Sequence, residues 1–390
     1  MNNISIIHDC YGCGVCSAVC PQKIIDIVLN KNGFYEPTIN DIDKCTNCGL
    51  CLNVCGFNHS EIASTPIVIK SYAAWSDDKR VQRKCSSGGV GFEIGLSLMK
   101  EGYKVSGVKF NADKNRAEHY IASTKEELVQ TVGSKYIQSY TPTGFHNLDR
   151  KQKYLVTGTP CQIDSFRRMI QKKRIEENFI LLDFFCHSVP SMFAWNYYSK
   201  LAESKIGKLT YASWRNKTTG WHDSWAMELD GERCGEKVDW QDSYNMLIKE
   251  KKGFISSRKS KGDLFYRLFL GDFCCNPACQ KNCKYKYTSS SADLRIGDLW
   301  GKEYAKNEDG VSALIAFTTK GQEVIKKLDG CIIKEHPLEV VAEGQMKQNV
   351  GKAYCSKIMM QCLKHKSPLY IVNGIIFIER VLRKLKRLFA

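Results

Sequence analysis

The sequence predicts an α+β protein in which a small cysteine-dense module at the N-terminus precedes a larger mixed α/β domain. Two observations support this fold class. Residues 1–62 contain two copies of one four-cysteine pattern, and the rest of the chain alternates short apolar runs with amphipathic segments. Alternating strands and helices indicate helices layered on a sheet. The 390 residues are enough for two or three domains with buried cores.

Each four-cysteine run has the spacing Cys-x2-Cys-x2-Cys-x3-Cys, which is typical of ferredoxins that bind 4Fe-4S clusters. Zinc and disulfides are the alternatives, but structural zinc sites pair shorter knuckles over a longer gap. The fourth cysteine of each run ligates the other cluster in two-cluster ferredoxins. The sequence therefore predicts two clusters, one held by Cys10, Cys13, Cys16 and Cys55 and the other by Cys20, Cys45, Cys48 and Cys51.

Composition restricts the location and the partners. The chain has 19 cysteines, and no charged-then-apolar leader precedes the first run, so we expect a reducing cytoplasm. The formal net charge is +16, from which two ligated clusters subtract roughly 4. A basic surface suits an acidic electron carrier such as ferredoxin. Because no stripe of interleaved arginine and aromatic residues is visible, nucleic acid is not an expected partner.

The pattern after the module predicts a regular succession of strands and helices. A hairpin-like region is expected at 207–240. The other predicted elements are a helix at 88–102, strands at 103–110 and 154–158, a helix at 161–172, a strand at 179–186, a helix at 190–201, a strand at 311–318 and a helix at 320–328.

The composition changes at Glu61–Pro66, where we place the first domain boundary. The predicted organisation is a ferredoxin-type module at 1–62, a catalytic domain at 67–345 with parts 67–150 and 151–345, and a basic amphipathic helical tail at 346–390. The tail is too charged to span a bilayer. It is expected to lie peripherally on the inner membrane face, to dock a protein partner, or to pack on its own domain. Its apolar residues are spaced three and four apart: Ile375, Ile378, Leu382, Leu385 and Phe389.

A third group of cysteines, Cys274, Cys275, Cys279 and Cys283, does not have the ferredoxin spacing. One interpretation is a third 4Fe-4S cluster, completed by Cys161 or Cys186. The other is a set of buried cysteines without a metal.

Two segments place small residues before a helix: Ser86, Ser87, Gly88 and Gly89, and Thr159, Pro160, Cys161 and Gln162. A helix N-terminus offers N–H groups to a phosphate, but for each segment taken alone simple N-capping by serine and threonine is the favoured interpretation. His187 and His222 are the candidates for catalytic proton transfer because histidine titrates near neutral pH. A structural role is the alternative for both histidines.

In combination, these motifs resemble those of the coenzyme F420 hydrogenase/dehydrogenase beta-subunit family. The resemblance covers residues 1 to about 340 and adds three segments to the motifs above: Cys186–Ser191, Trp214–Trp221 and Ile296–Gly301. It implies an FAD-containing iron–sulfur oxidoreductase, with the two helix-opening segments holding the flavin. Many bacterial relatives of this kind are associated with polysaccharide biosynthesis, which implies a small-molecule or glycan-precursor substrate.

Three functions follow as hypotheses. In the first, electrons from ferredoxin pass through the clusters to FAD and on to an organic substrate. In the second, the chain is a coenzyme F420 oxidoreductase. In the third, it is a non-catalytic electron-transfer subunit that its C-terminal helix docks to a larger complex.

Overall fold

The computed structural model describes residues 2–65, 68–234 and 255–388. The N-terminal module is small and contains little regular structure. Its two strands, β1 (Ile25–Leu29) and β2 (Tyr35–Ile39), pair in antiparallel fashion. Two short helices, α1 (Val15–Val19) and α2 (Leu50–Asn53), each carry the third cysteine of a repeat. The prediction of a small cysteine module before a mixed α/β domain is confirmed.

The remaining strands form one large mixed sheet and one small antiparallel sheet. In chain order they are β3 (Lys70–Ser76), β4 (Lys104–Asn111), β5 (Arg116–Ala122), β6 (Ser139–Tyr140), β7 (Tyr154–Thr157), β8 (Phe179–Phe184), β9 (Leu209–Ser213), β10 (Ala226–Gly231), β11 (Ile255–Arg258), β12 (Leu294–Asp298), β13 (Ser312–Ala316) and β14 (Cys331–Glu335).

The described helices of the larger part are mostly short. They are α3 (Lys79–Lys84), α4 (Val90–Lys100), α5 (Lys125–Val129), α6 (Pro142–Phe145), α7 (Pro160–Lys173), α8 (Met192–Ile206), α9 (Leu264–Phe269), α10 (Pro277–Lys281), α11 (Thr319–Lys326), α12 (Leu338–Val341), α13 (Ser356–Lys364) and α14 (Leu369–Leu388).

The large sheet has the strand order β14-β3-β13-β12-β8-β7-β4-β5-β6. Its centre, β12-β8-β7-β4, is parallel, whereas β13, β3, β14 and β5 join by antiparallel pairing. Neighbouring residues of β7 pack into different cores, Leu155 with α4 and Val156 with α7. The central strands are therefore buried on both faces, as parallel strands usually are.

Most predicted elements are present with shifted ends. The helix expected at 161–172 is α7, and the strand expected at 179–186 is the shorter β8. The hairpin expected at 207–240 is seen as β9 pairing with β10, while residues 235–240 lie outside the described part. Pro66, at the expected domain boundary, and Phe389, in the expected tail, also lie outside it.

The C-terminal helix α14 begins at Leu369, inside the tail expected at 346–390. Val372, Ile375 and Ile376 are buried against α8, α9 and α13. Within the described residues, no helix combines the length and the apolar character that crossing a bilayer requires.

Candidate functional site

The two cysteine repeats fold into matching turns. A glycine with φ of 72° precedes the short helix in each repeat, Gly14 before α1 and Gly49 before α2. Other residues are strained at this φ because Cβ approaches the following carbonyl. The turn brings the first three thiols of a run to one place, which is the arrangement that a cubane cluster needs.

The inner thiol site is formed by Cys10, Cys13, Cys16 and Cys55, which line one cavity. All four side chains are buried. Burial and then the neighbouring Cys13 raise the pKa of Cys55 to about 12, and the same two causes raise the pKa of Cys10. Such thiols keep their protons until a metal replaces them. Four convergent buried thiols fit a 4Fe-4S cluster.

The outer thiol site is formed by Cys20, Cys45, Cys48 and Cys51, which line a second cavity. Cys48 is exposed, and Cys20 and Cys45 are half-buried. The side-chain amide of Asn3 donates a hydrogen bond to Cys45 Sγ at 3.5 Å. The thiols gathered at each site are the predicted sets, with the fourth cysteine of each run crossing over, and ligation by these sets stays a prediction.

The module contacts the larger domain through the inner thiol site. The Ser165 hydroxyl of α7 lies 3.3 Å from Cys13 Sγ and accepts a hydrogen bond from the Gly56 N–H at 2.9 Å. Thr141 Oγ1 donates to the Cys13 carbonyl at 3.0 Å. Asn276 Nδ2 donates to the Cys10 carbonyl at 3.2 Å. The inner site is thus enclosed between module and domain.

A third thiol site follows the inner one and consists of Cys161, Cys186, Cys279 and Cys283. Burial, and then the nearby Cys279 thiol, raise the pKa of Cys161 well above its usual value. Burial is also the main cause that raises the pKa of Cys186 to about 11, and Cys283 adds to it. Cys13 of the inner site interacts with Cys161 as well. Cys161 and Cys283 pack against the cluster of Tyr11 and Tyr285, and Tyr11 also lines the cavity of the inner thiol site, so the third group of thiols adjoins the inner one.

Tyr11 fills the space between the inner and third thiol sites. Its hydroxyl donates to the Asn282 carbonyl at 2.5 Å, and its ring packs edge-on against Phe57 and Tyr285. Burial first, and then the charges of Cys161, Cys283 and Cys279, raise its pKa. Aromatic packing thus fills the space beside the inner thiol site, where Cys161 and Cys283 pack against Tyr11 and Tyr285.

The cysteines expected as one third group are divided in the structure. Cys274 lies in an apolar cluster with Tyr197 and Leu268. Cys275 accepts a hydrogen bond from Ser188 Oγ at 3.1 Å. Cys283 packs with Cys161 beside Tyr285, and Cys279 lies near Cys186 and also near Cys275. Spacing along the chain could not separate these pairs, because the short helix α10 turns the second pair away from the first.

Of the two candidate histidines, His187 lies deeper. Its Nε2 is 3.5 Å from Asp272 Oδ1, its Nδ1 is 3.0 Å from Met346 Sδ, and its ring is edge-on to Phe269. His187 directly follows Cys186 of the third thiol site, so it stands beside a candidate redox centre. His222 is at the surface, where Nδ1 lies 3.1 Å from Glu308 Oε1.

The loop Ser86–Gly89 opens helix α4 and is bonded to the sheet. Ser86 Oγ accepts from the Ser134 N–H, Ser87 Oγ donates to the Val311 carbonyl at 2.7 Å, and the Gly88 N–H donates to Ser312 Oγ at 2.9 Å. A Cβ at Gly88 would come within 2.5 Å of the Ala74 carbonyl oxygen. Close backbone approach therefore explains this glycine without a ligand.

The segment Thr159–Gln162 opens α7. Gln162 Oε1 accepts from the Thr159 N–H at 2.9 Å, and Pro160 takes the first helical position, so both residues serve the helix end. Thr159 Oγ1 lies 3.2 Å from Cys161 Sγ. The segment thus presents Cys161 to the third thiol site, whereas flavin contact by its other residues stays a prediction.

The sequence did not indicate that Arg215 is a buried cation at the site. The Arg215 guanidinium is fully buried and pairs with Asp298 at 2.9 Å, and Trp221 Nε1 donates to the same carboxylate at 2.8 Å. Burial opposes the charge, but Asp298 and Tyr136 together outweigh it and raise the pKa of Arg215. The rings of Trp225 and Trp300 lie 5.1 and 5.4 Å from the guanidinium. Long sequence separation hid this network, although Arg215 and Asp298 both lie in segments that carry the family resemblance.

Two lysines near the Ser86–Gly89 loop were also missed. Lys217 Nζ donates to the carbonyls of Gln82, Ser87 and Asp309. Burial lowers the pKa of Lys217 to about 7, and burial lowers the pKa of Lys135 to about 7 as well. Both side chains lie near Cys85, which begins the loop. Lys135 Nζ likewise donates to the carbonyls of Gln130, Thr131 and Val132. The two lysines thus place positive charge near the loop, while their N–H donors are held by backbone carbonyls.

Several of the candidate site residues follow the carboxyl ends of strands at one edge of the large sheet. The parallel strands β7, β8 and β12 end at Thr157, Phe184 and Asp298, and Cys161 and Cys186 follow the first two of these ends. In open α/β sheets, ligands bind outside the carboxyl ends of the strands. A dicluster module docked against such an edge, with a third thiol site between them, defines an iron–sulfur electron-transfer protein.

Comparison with models of protein families supports the assignment to an iron–sulfur electron-transfer protein. Residues 71–143 match the model described as coenzyme F420 hydrogenase/dehydrogenase, beta subunit N-term, and residues 151–339 match its C-terminus counterpart. Residues 9–58 match the model of a 4Fe-4S dicluster domain. The chain belongs to the coenzyme F420 hydrogenase/dehydrogenase beta-subunit family, and the predicted family and the predicted iron–sulfur module are confirmed.

Among solved structures, one similar chain comes from the xenon-derivatised F420-reducing [NiFe] hydrogenase complex of Methanosarcina barkeri. The match has 17% identity and a TM-score of 0.46, and it covers 85% of this chain and 96% of that one. No curated protein sequence matches this chain.

Proposed function

We propose that the chain is an FAD-containing iron–sulfur oxidoreductase that takes electrons from an acidic carrier such as ferredoxin and reduces a small organic substrate, for example a glycan precursor. The observation that carries the proposal is the series of three thiol sites, which begins at the exposed Cys48 and ends beside the sheet edge. Iron–sulfur clusters supply single electrons, and a flavin supplies the coupling to two-electron reduction.

The third thiol site is the proposed position of a third 4Fe-4S cluster. Its four ligands are Cys161, Cys186, Cys279 and Cys283. Soft thiolates without oxygen or imidazole ligands suit iron–sulfur clusters or zinc. The direct succession from a dicluster module favours the cluster, because zinc has no redox chemistry to continue the series.

The proposed flavin lies at the carboxyl ends of β4, β7, β8 and β12. Lys135 and Lys217 would meet its diphosphate beside Ser86–Gly89, since an anion there stabilises their protonated forms. His187 is the proposed proton donor to substrate because it is the candidate histidine beside the third thiol site, and Asp272 orients its ring. His222, at the surface, is less suited to this role.

The basic surface is proposed to meet the electron carrier. The formal charge of the whole chain, +16, favours an acidic partner, but residues 1–62 carry three lysines against six acidic residues, so the complementary positive charge lies on the larger domain. The outer thiol site is the natural entry point because Cys48 is exposed. Turnover with ferredoxin should consequently slow at high salt, whereas turnover with a neutral small-molecule reductant should not.

Metal and flavin analysis of anaerobically purified protein tests the proposal. We expect about twelve irons per chain and one FAD, whereas about eight irons would leave only the dicluster module. Cys161→Ser should lower the count to about eight. Cys274→Ser is the matched control, since it removes a thiol from the same region without touching the third thiol site, and it should keep about twelve.

A second experiment tests whether reduced coenzyme F420, instead of ferredoxin, is the electron donor. Rapid mixing of the protein with reduced F420 should leave the flavin absorbance unchanged if ferredoxin is the donor. Bleaching of the flavin at a rate that supports turnover would replace ferredoxin with F420 in the proposal. An iron count of twelve without any flavin would instead favour a non-catalytic electron-transfer subunit.

A further inference from the structure

Helix α14 presents an apolar face to solvent. We define the outer face of α14 as six of its residues: Tyr370, Phe377, Ile378, Val381, Leu385 and Leu388. Tyr370, Phe377 and Leu388 are 75%, 66% and 70% exposed, and the other three are 41–51% exposed. Tyr370, Phe377, Val381 and Leu388 are separated by seven, four and seven residues, so they lie on one side of the helix. Scattered apolar residues need no explanation, but a continuous face of this kind does.

The opposite side of α14 holds the helix on the protein. Val372, Ile375 and Ile376 pack into the core that includes Leu268 and Met359. Arg267 Nη1 donates to Asn373 Oδ1 at 3.0 Å, and Arg383 Nη2 donates to the Gly271 carbonyl at 2.8 Å. The helix is about 30 Å long at 1.5 Å per residue. It therefore lies along the protein surface, and the outer face points away from the body over most of this length.

The charges beside the outer face have one sign. Arg380, Lys384, Lys386 and Arg387 are exposed. Glu379 is the acidic residue of the helix; it is buried, pairs with Arg383 at 2.7 Å and accepts from the Cys355 N–H at 2.9 Å. Arg380, Lys384 and Arg387 are spaced four and three apart, so they form one cationic row along one side of the outer face.

We propose that the outer face of α14 docks the protein on an anionic lipid bilayer surface. An in-plane amphipathic helix buries its apolar face at the headgroup boundary while lysine and arginine reach anionic headgroups. The long cationic side chains beside Phe377 and Val381 can extend toward the headgroups while their stems remain apolar. Each such cation near an anionic membrane strengthens binding severalfold.

The charge pattern favours lipid over a second copy of this chain. A symmetric dimer through the outer face would bring Arg380, Lys384 and Arg387 of both copies together, and like charges at an interface oppose association. A bilayer containing anionic lipids offers the opposite charge over its whole surface. The inference goes beyond the proposed reaction and does not depend on it.

Co-sedimentation of the full-length, anaerobically purified protein with vesicles tests the inference. We expect binding to vesicles of phosphatidylcholine with phosphatidylglycerol, and at least about tenfold weaker binding to phosphatidylcholine alone. Phe377→Glu and Lys384→Glu should each reduce binding to the anionic vesicles about fivefold or more, the first by removing apolar contact and the second by reversing a charge. Both positions are exposed, so the fold and the iron content should not change.

Ile332→Glu is the matched control, because Ile332 is also an exposed apolar residue, at 43%, but lies on β14. It should bind anionic vesicles as the parent protein does. Equal binding of the parent and Phe377→Glu proteins would overturn the inference. So would a dimer in gel filtration that Phe377→Glu dissociates, together with no vesicle binding, since a second copy would then cover the outer face.

Discussion

The first cysteine repeat, Cys10–Cys20, and the second, Cys45–Cys55, fold in the same way and lie in different surroundings. Gly14 and Gly49 have the same φ of 72°, and each precedes a one-turn helix. The inner thiol site nevertheless packs on α7 and is buried, while the outer thiol site has an exposed cysteine. The comparison shows that the repeat itself encodes the ligand turn, whereas docking on the larger domain makes one site differ from the other.

Replacing one cysteine in each site should separate ligation from packing. Cys13→Ser and Cys48→Ser should each remove about four irons. Only Cys13→Ser should also destabilise the whole chain, by about 2 kcal/mol, because it leaves a polar hydroxyl in a core shared with Ile163 and Phe166. Iron analysis and thermal unfolding measure the two effects. Equal losses of stability would show that the docked core does not distinguish the sites.

The two matching glycines give a more local comparison. Gly14→Ala and Gly49→Ala should each cost roughly 1–2 kcal/mol from the left-handed φ. Gly14→Ala should cost about 1–3 kcal/mol more, because its Cβ would overlap the buried Thr141 hydroxyl. At Gly49 the Cβ would meet only the side chain of exposed Asn2. Denaturant unfolding of both variants under anaerobic conditions checks the order, and a larger cost at Gly49 would contradict it.

The smallest expected effect concerns reduction potentials. Ser165→Ala removes a hydroxyl 3.3 Å from Cys13 Sγ, and Asn3→Ala removes an amide donor to Cys45 Sγ. Hydrogen bonds to cluster sulfur stabilise the more negative reduced state. A bond worth about 1 kcal/mol corresponds to about 40 mV for one electron. Each variant should lower the potential of its own site by about this amount.

Redox titration followed by electron paramagnetic resonance resolves the two signals. Each variant is the control for the other, since Ser165 adjoins the inner thiol site and Asn3 the outer one. Parallel shifts of both potentials in either variant would mean that the two sites do not have separate surroundings.

The features that the sequence predicts well are local. The cysteine spacing determines two ligand turns, and the periodicity of 161–172 and 320–328 locates α7 and α11 within two residues. Strand order across the large sheet could not be predicted, because antiparallel β3 and β14 join it through pairings that span over 200 residues. The hydrophobic pattern of β3 and β14 is compatible with several different neighbouring strands in the sheet.

The third thiol site could not be predicted for the same reason: its residues are far apart in the sequence. Cys161 and Cys186 follow two neighbouring parallel strands, whereas Cys279 lies in the distant short helix α10 and Cys283 follows that helix. Their grouping depends on tertiary packing, so the sequence could offer Cys161 and Cys186 as candidates and could not exclude Cys274. The Arg215–Asp298 pair was missed for the same reason, because its partners are 83 positions apart.

The exposure of Cys48 has a consequence for handling the protein in air. Oxidants attack accessible thiolates first, and the inner thiol site is covered by its own repeat and by Ser165 and Thr141 of the larger domain. Oxygen damage should therefore proceed from the outer site inward. A sample that has lost part of its iron in air would therefore retain the inner centre of the dicluster module longer than the outer one.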